Sequence, residues 1–186
     1  NSNQLGLMAH AVLGYPTAGK SLEIVNSLIS NGSDFLELQI PFSDPVADGE
    51  TIMKACEVAI KNGMNTDKAF EMIEIINKTR KDFAEVGLDF FPHLPNSPLA
   101  DARGLKHGGR AQKARSSPQN HSRPILLMAY YNTVFRYGID KFCQKSKKLG
   151  VSGLIVPDIP PEEEKSEKFI STCLKYDLYP IRIVSP

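Results

Sequence analysis

Five short apolar runs alternate with stretches of helical periodicity along this chain, and that alternation restricts the fold more than any other feature. The runs are "LGLMAHAVLGY" (5–15), "FLELQIPF" (35–42), "ILLMAYY" (125–131), "VSGLIVPDIP" (151–160, a strand plus loop) and "LYPIRIV" (178–184). Their near-continuous hydrophobicity predicts strands buried on both faces. Leu22, Val25, Leu28 and Ile29 share one face of a helix predicted over 20–31, with Gly32 as its stop. A second helix is predicted over 51–62, ended by Asn62-Gly63. Thr66 is placed to cap a third, whose apolar side holds Phe70, Ile73, Ile75 and Ile76. Another is expected around 139–149, closed by Gly150. The run Pro160-Pro161-Glu162-Glu163-Glu164 opens a further one, since Pro is tolerated in a first turn and acids suit its positive end. Strands joined through helices make an α/β fold with a parallel sheet, either doubly wound or closed as a barrel. No G-x-G-x-x-G turn follows the first run, which weakens a dinucleotide-binding reading.

Composition narrows the class. The chain has 186 residues, 41% hydrophobic and 23% charged, enough for one domain with a core. A net charge of +1 gives no general pull toward nucleic acid or membrane, and no run approaches a membrane span. No signal peptide is visible. Cys56, Cys143 and Cys173 are odd in number and lack metal-ligand spacing, so a reducing, cytosolic setting without disulfides is expected, and no metal.

Residues 83–122 break the rhythm, with no sustained period of strand or helix. After Asp101 no acid appears until Asp140, while Arg103, Lys106, Arg110, Lys113, Arg115 and Arg123 accumulate. A disordered surface insertion within a single domain spanning 1–186 is expected; a nucleic-acid arm is the lesser reading, with no fold motif to support it. His93, His107 and His121 lie here without metal-ligand spacing.

The chemistry gathers in "LELQIPFSDPVADG" (36–49). Alternation puts residues 35, 37 and 39 on one face of the strand and 36, 38 and 40 on the other. A glutamate in that setting, Glu37, must be desolvated, paired with a cation or hydroxyl, or face a cavity. Desolvation raises its pKa, which suits a general acid or base. Asp44 and Asp48 read as turn or cap residues in their own right. Polar residues also follow the third and fourth strands, at Asn132 and Asp158. In a (β/α)₈ barrel the rim at the C-terminal ends of the strands is where sites are built. Tyr130 and Tyr131 read as one core and one rim residue, and His10 as packed or cavity-lining.

At these residues the chain resembles a known family. "LELQIPFSDPVADGETI" is similar to the signature of the tryptophan synthase α subunit, supported by "HAVLGYP" (10–16), "LLMAYYNTVFRYGI" (126–139) and "GLIVPDIPPEE" (153–163). The similarity covers residues 5–82 and 123–186, about three quarters of the chain. It implies a (β/α)₈ TIM barrel, here an incomplete one with strands one to five. It also implies retro-aldol cleavage of indole-3-glycerol phosphate to indole and glyceraldehyde 3-phosphate, in tryptophan biosynthesis. By resemblance, Glu37 is the catalytic acid/base and Asp48 the carboxylate that holds the indole N–H. His10, Met128, Tyr130, Ile155 and Pro157 would line the indole pocket. Pro41, Ser43, Asp44, Asn132 and Asp158 would face a pyridoxal-phosphate-dependent β subunit, with no cofactor in the α half.

The departures from the family shape two further expectations. By resemblance, the helix that precedes strand one in the family is not expected in residues 1–186, and 83–122 is expected to replace a short link, at the rim opposite the site. Strands six to eight and their phosphate-binding turns lie outside the match, so the 186-residue chain by itself is expected to be inactive or nearly so. Its competing readings are a remnant that only binds a β-type partner and a different phosphate-binding barrel enzyme.

Overall fold

A computed structural model describes residues 6–86, 123–160, 162 and 164–183. The chain divides into two compact units, Asn1–Lys78 with Arg123–Pro186, and Thr79–Ser122. Of the second unit only 79–86, the end of a helix, is described: that helix covers 83–86 of the segment expected as an insertion, and the remainder, 87–122, lies outside the described residues.

The first unit is built on five parallel strands in the order β1-β2-β3-β4-β5: Met8–Val12, Phe35–Gln39, Ile125–Met128, Gly153–Ile155 and Tyr179–Ile181. Helices follow them: α1 (Ala18–Ser30), α2 (Glu50–Lys61), α3 (Thr66–Val86), α4 (Tyr131–Tyr137), α5 (Ile139–Lys148), α6 (Glu164–Glu167) and α7 (Phe169–Lys175). One face of the sheet carries Leu36, Leu38, Ile125, Leu127 and Leu154, all fully buried. They join Val25 of α1, Ala59 of α2, Phe70 and Ile73 of α3, Phe142 of α5 and Phe169 of α7 in one core. Each such side chain contributes about 1.5–3 kcal/mol by leaving water. This outer layer therefore drives the fold.

The other face is only partly covered, which corrects the expectation of strands buried on both faces. Parallel register places His10, Glu37, Leu126, Gly153 and Tyr179 in one row across the sheet. Val12, Gln39, Met128, Ile155 and Ile181 form the next row toward the C-terminal ends. Near the two sheet ends, Met8, His10 and Tyr179 are exposed. Among the described residues β1 and β5 do not pair with each other, so the five strands form an open arc and the inner face fills only at its middle.

Local chemistry sets the helix ends. Thr17 caps α1, its Oγ1 accepting from Lys20 N at 3.3 Å. Arg123 Nη1 donates to the carbonyls of Ile29 and Ser33 at 2.6 and 2.5 Å, satisfying oxygens at the negative end of α1. Asn65, not Thr66, caps α3: its Oδ1 accepts from Lys68 N at 3.0 Å, and Thr66 is the first helical residue. Ile75 is exposed on that helix, and Ala69 and Met72 take the buried places beside Phe70, Ile73 and Ile76. β3 ends at Met128, so Tyr131 and Asn132 belong to a short helix rather than to a strand and its loop. The helix expected after Pro160 is two pieces, broken where Lys168 adopts φ 55, which lets Phe169 and Cys173 enter the core.

Candidate active site

The site begins on β2. Because side chains alternate, Glu37 and Gln39 project from the inner face while Leu36 and Leu38 enter the outer core. Glu37 is half-buried, between His10 of β1 and Leu126 of β3 in register. Burial is the main force raising its pKa above the usual 4.5. His10 opposes that rise and the carboxylate of Asp48 adds to it.

After Gln39 the chain leaves the sheet through Ile40 and Pro41, turns at Asp44–Asp48 and enters α2. Backbone bonds from Val46 N to Asp44 O and from Asp48 N to Pro45 O, both 2.9 Å, tighten the turn. Its far side is tied down by Ala47 N, which donates to the hydroxyl of Tyr130 at 3.0 Å. Tyr130 is buried at the end of β3, its ring stacked on Phe42 with centroids 5.0 Å apart and planes 17° from parallel. Burial pushes its phenol up to about 12, with the Asp48 charge adding to the rise. These contacts turn Asp48 back over the strand end, where its Oδ2 accepts from Gln39 Nε2 at 2.7 Å.

Beside the carboxylates lies an apolar inner cluster of Leu126, Met128, Tyr130 and Ile155, with Phe42 and Ile181 packed on it. A half-buried acid with a raised pKa, a second carboxylate at the strand end and a neighbouring apolar, aromatic wall can receive a flat heteroaromatic ligand that carries a hydrogen-bond donor.

Of the pocket residues predicted from sequence, Met128, Tyr130 and Ile155 meet in this cluster. Pro157 lies beyond β4 in a turn, partly buried and outside the cluster. His10 is exposed on the end strand, and its Nε2 pairs with Gln39 Oε1 at 2.8 Å. Among the residues expected to face a partner, Ser43, Asp44, Asn132 and Asp158 are exposed and Pro41 is buried. Asp158 Oδ1 accepts from Tyr131 N at 2.7 Å, the start of α4. Gln39, Phe42 and Ile181 were missed. For Gln39 the signal was present, since alternation places it on the face of Glu37. Among the described residues, no group of three or more His, Cys, Asp or Glu side chains could hold a metal ion.

The sequence profile of the Tryptophan synthase alpha chain family matches residues 1–92 and 82–186. The chain belongs to that family. The tryptophan synthase alpha chain of Aquifex aeolicus is 36% identical over 164 residues, 88% of this chain and 47% of the relative. That of Methanosarcina barkeri is 36% identical over 180 residues, 97% of this chain and 51% of the relative. The crystal structure of tryptophan synthase subunit alpha from Legionella pneumophila superposes with a TM-score of 0.68 at 26% identity, over 94% of this chain and 51% of that one. The chain spans about half the length of the curated relatives it matches. Its parallel arc is a set of consecutive units of the (β/α)₈ barrel of the tryptophan synthase alpha fold. The matched ranges take in the 83–122 segment as well as the stretches that carry the resemblance. No helix among the described residues is long and apolar enough to cross a membrane.

Proposed function

We propose that this chain carries the acid–base half of a retro-aldol lyase that cleaves indole-3-glycerol phosphate to indole and glyceraldehyde 3-phosphate. The observation that carries this reading is Glu37: a carboxyl held half-buried on the inner face, with its pKa raised, beside Asp48 and an apolar aromatic wall. The protonated carboxyl delivers its proton to indole C3, which leaves positive charge on the ring nitrogen. Asp48 accepts the ring N–H and stabilises that charge. Glu37, now a carboxylate, takes the proton of the hydroxyl on the side-chain carbon bonded to C3. The bond between that carbon and C3 breaks, its electron pair returns to the ring, and the hydroxyl carbon becomes the aldehyde. Glu37 ends protonated, ready for another turnover. A raised pKa suits both halves of this exchange near neutral pH.

The chemistry needs no cofactor in this subunit, and pyridoxal phosphate belongs to a β subunit. The exposed Ser43, Asp44, Asn132 and Asp158 form the rim toward that partner, while Pro41 is buried. Three buried cysteines without a disulfide fit a reducing, cytosolic setting.

The test is indole release from indole-3-glycerol phosphate by the 186-residue chain and its Glu37→Gln variant, each with and without a β subunit. Release that falls at least a hundredfold in the variant supports the reading and, if seen without the β subunit, overturns the expectation that the 186-residue chain alone is inactive. Release that survives the substitution removes Glu37 from the chemistry. Activation of the β subunit without indole release favours a chain that only binds its partner, a reading kept open by its half-length match to the family.

A further inference from the structure

Gln39 is fully buried, and its amide makes three polar contacts. Nε2 donates to Asp48 Oδ2 at 2.7 Å and lies 3.7 Å from Cys56 Sγ, while Oε1 lies 2.8 Å from His10 Nε2. The direction of this chain follows from Asp48. A carboxylate only accepts, so the amide nitrogen must face it. The amide oxygen then faces His10, whose Nε2 must carry the hydrogen. With both amide hydrogens and its oxygen engaged between β1, the 41–49 loop and α2, Gln39 has one orientation available.

We infer that Gln39 is a positioning residue for Asp48: it engages Oδ2 and so turns the other oxygen, Oδ1, toward the indole N–H, while His10 fixes the amide that does so. The inference rests on the role proposed above for Asp48. A carboxylate on a turn between a strand and a helix has free rotation about its side-chain bonds unless something holds it. Here the charge-assisted hydrogen bond from the buried amide of Gln39 holds one oxygen, and the Tyr130 hydroxyl lies beside the same carboxylate. The polar atom that receives the ligand is then set before the ligand arrives.

The test is a double-mutant cycle on indole affinity in the 186-residue chain, by calorimetry or by chemical-shift titration, with Gln39→Leu, Asp48→Asn and both together. Asp48→Asn is expected to weaken indole binding at least tenfold. Gln39→Leu is expected to weaken it about tenfold in the parent and less than twofold in the Asp48→Asn background, because its effect passes through Asp48. His10→Phe is expected to cost two- to threefold. Equal losses from Gln39→Leu in both backgrounds overturn the positioning role and leave the role of Asp48 standing. An Asp48→Asn variant that binds indole as well as the parent, or a parent that does not bind it, overturns both. Should Gln39→Leu fail to fold, the side-chain amide resonances of Gln39 decide. They are expected to shift on Asp48→Asn and on indole addition to the parent, and stationary resonances overturn the inference.

Discussion

At Glu37 the demands of folding and of chemistry oppose each other. Burial raises its pKa, so the folded chain holds that proton more tightly than the unfolded chain does. The stabilising contribution is complete below the ordinary value of 4.5 and is lost as pH rises through the higher folded value. Glu37→Gln removes the ionisation. The variant is therefore expected to gain in melting temperature relative to the parent between pH 4 and pH 8. Parallel melting profiles across that range would contradict the burial assigned to Glu37. Tyr130 is the reverse case, a residue whose polar tip secures a loop. Tyr130→Phe removes the acceptor for Ala47 N–H and should cost about 1 kcal/mol, or about 2–4 °C in melting temperature for a chain this size. It should also abolish a tyrosinate absorbance step near pH 12.

Among the elements, the close approach of β4 and β5 depends on a missing side chain. A Cβ at Gly153 would stand 2.7 Å from the carbonyl oxygen of Tyr179 and 3.2 Å from Leu126 Cδ2. The obstacle on one side is backbone, so the strands must part. Gly153→Ala is expected to cost about 1–3 kcal/mol, read as a fall of several degrees in thermal melting, without changing the raised pKa of Glu37 two strands away. Much at this scale was legible in the sequence. The five apolar runs, the α1 face around Val25 and the stop at Gly32 follow from periodicity and backbone freedom alone. The places where the reading slipped have physical reasons. α4 spans only seven residues, too short to show a helical period against the strand just before it. Asn65 and Thr66 are both good caps, and only the 3.0 Å bond to Lys68 N separates them. In the site, Glu37 stood out because a charge inside an apolar run is conspicuous. Gln39 did not, because its importance lies in what it touches, and His10 and Asp48 are brought to it only by strand register and the 41–49 turn.

For the five-stranded unit, the consequence of open sheet edges among the described residues is an uneven surface. β1 and β5 each pair with a single strand among the described residues, and Phe35, Met8 and Tyr179 of the inner face are 38%, 48% and 71% exposed. Unpaired strand edges next to exposed apolar side chains favour association through added strands. The polypeptide of residues 1–186 alone is therefore expected to self-associate in sedimentation velocity as its concentration rises, and to bind a hydrophobic dye. A lysine on the inner face should oppose this by placing a charge where an added strand or a second copy would pack. Phe35→Lys and Tyr179→Lys are expected to shift the distribution toward monomer. Phe135→Lys, on the exposed surface of α4, serves as the comparison: Phe135 is 58% exposed, yet it lies on a helix whose backbone is already paired. If it alone restored the monomer, the association would belong to the helical surface, and the open arc would not be its cause.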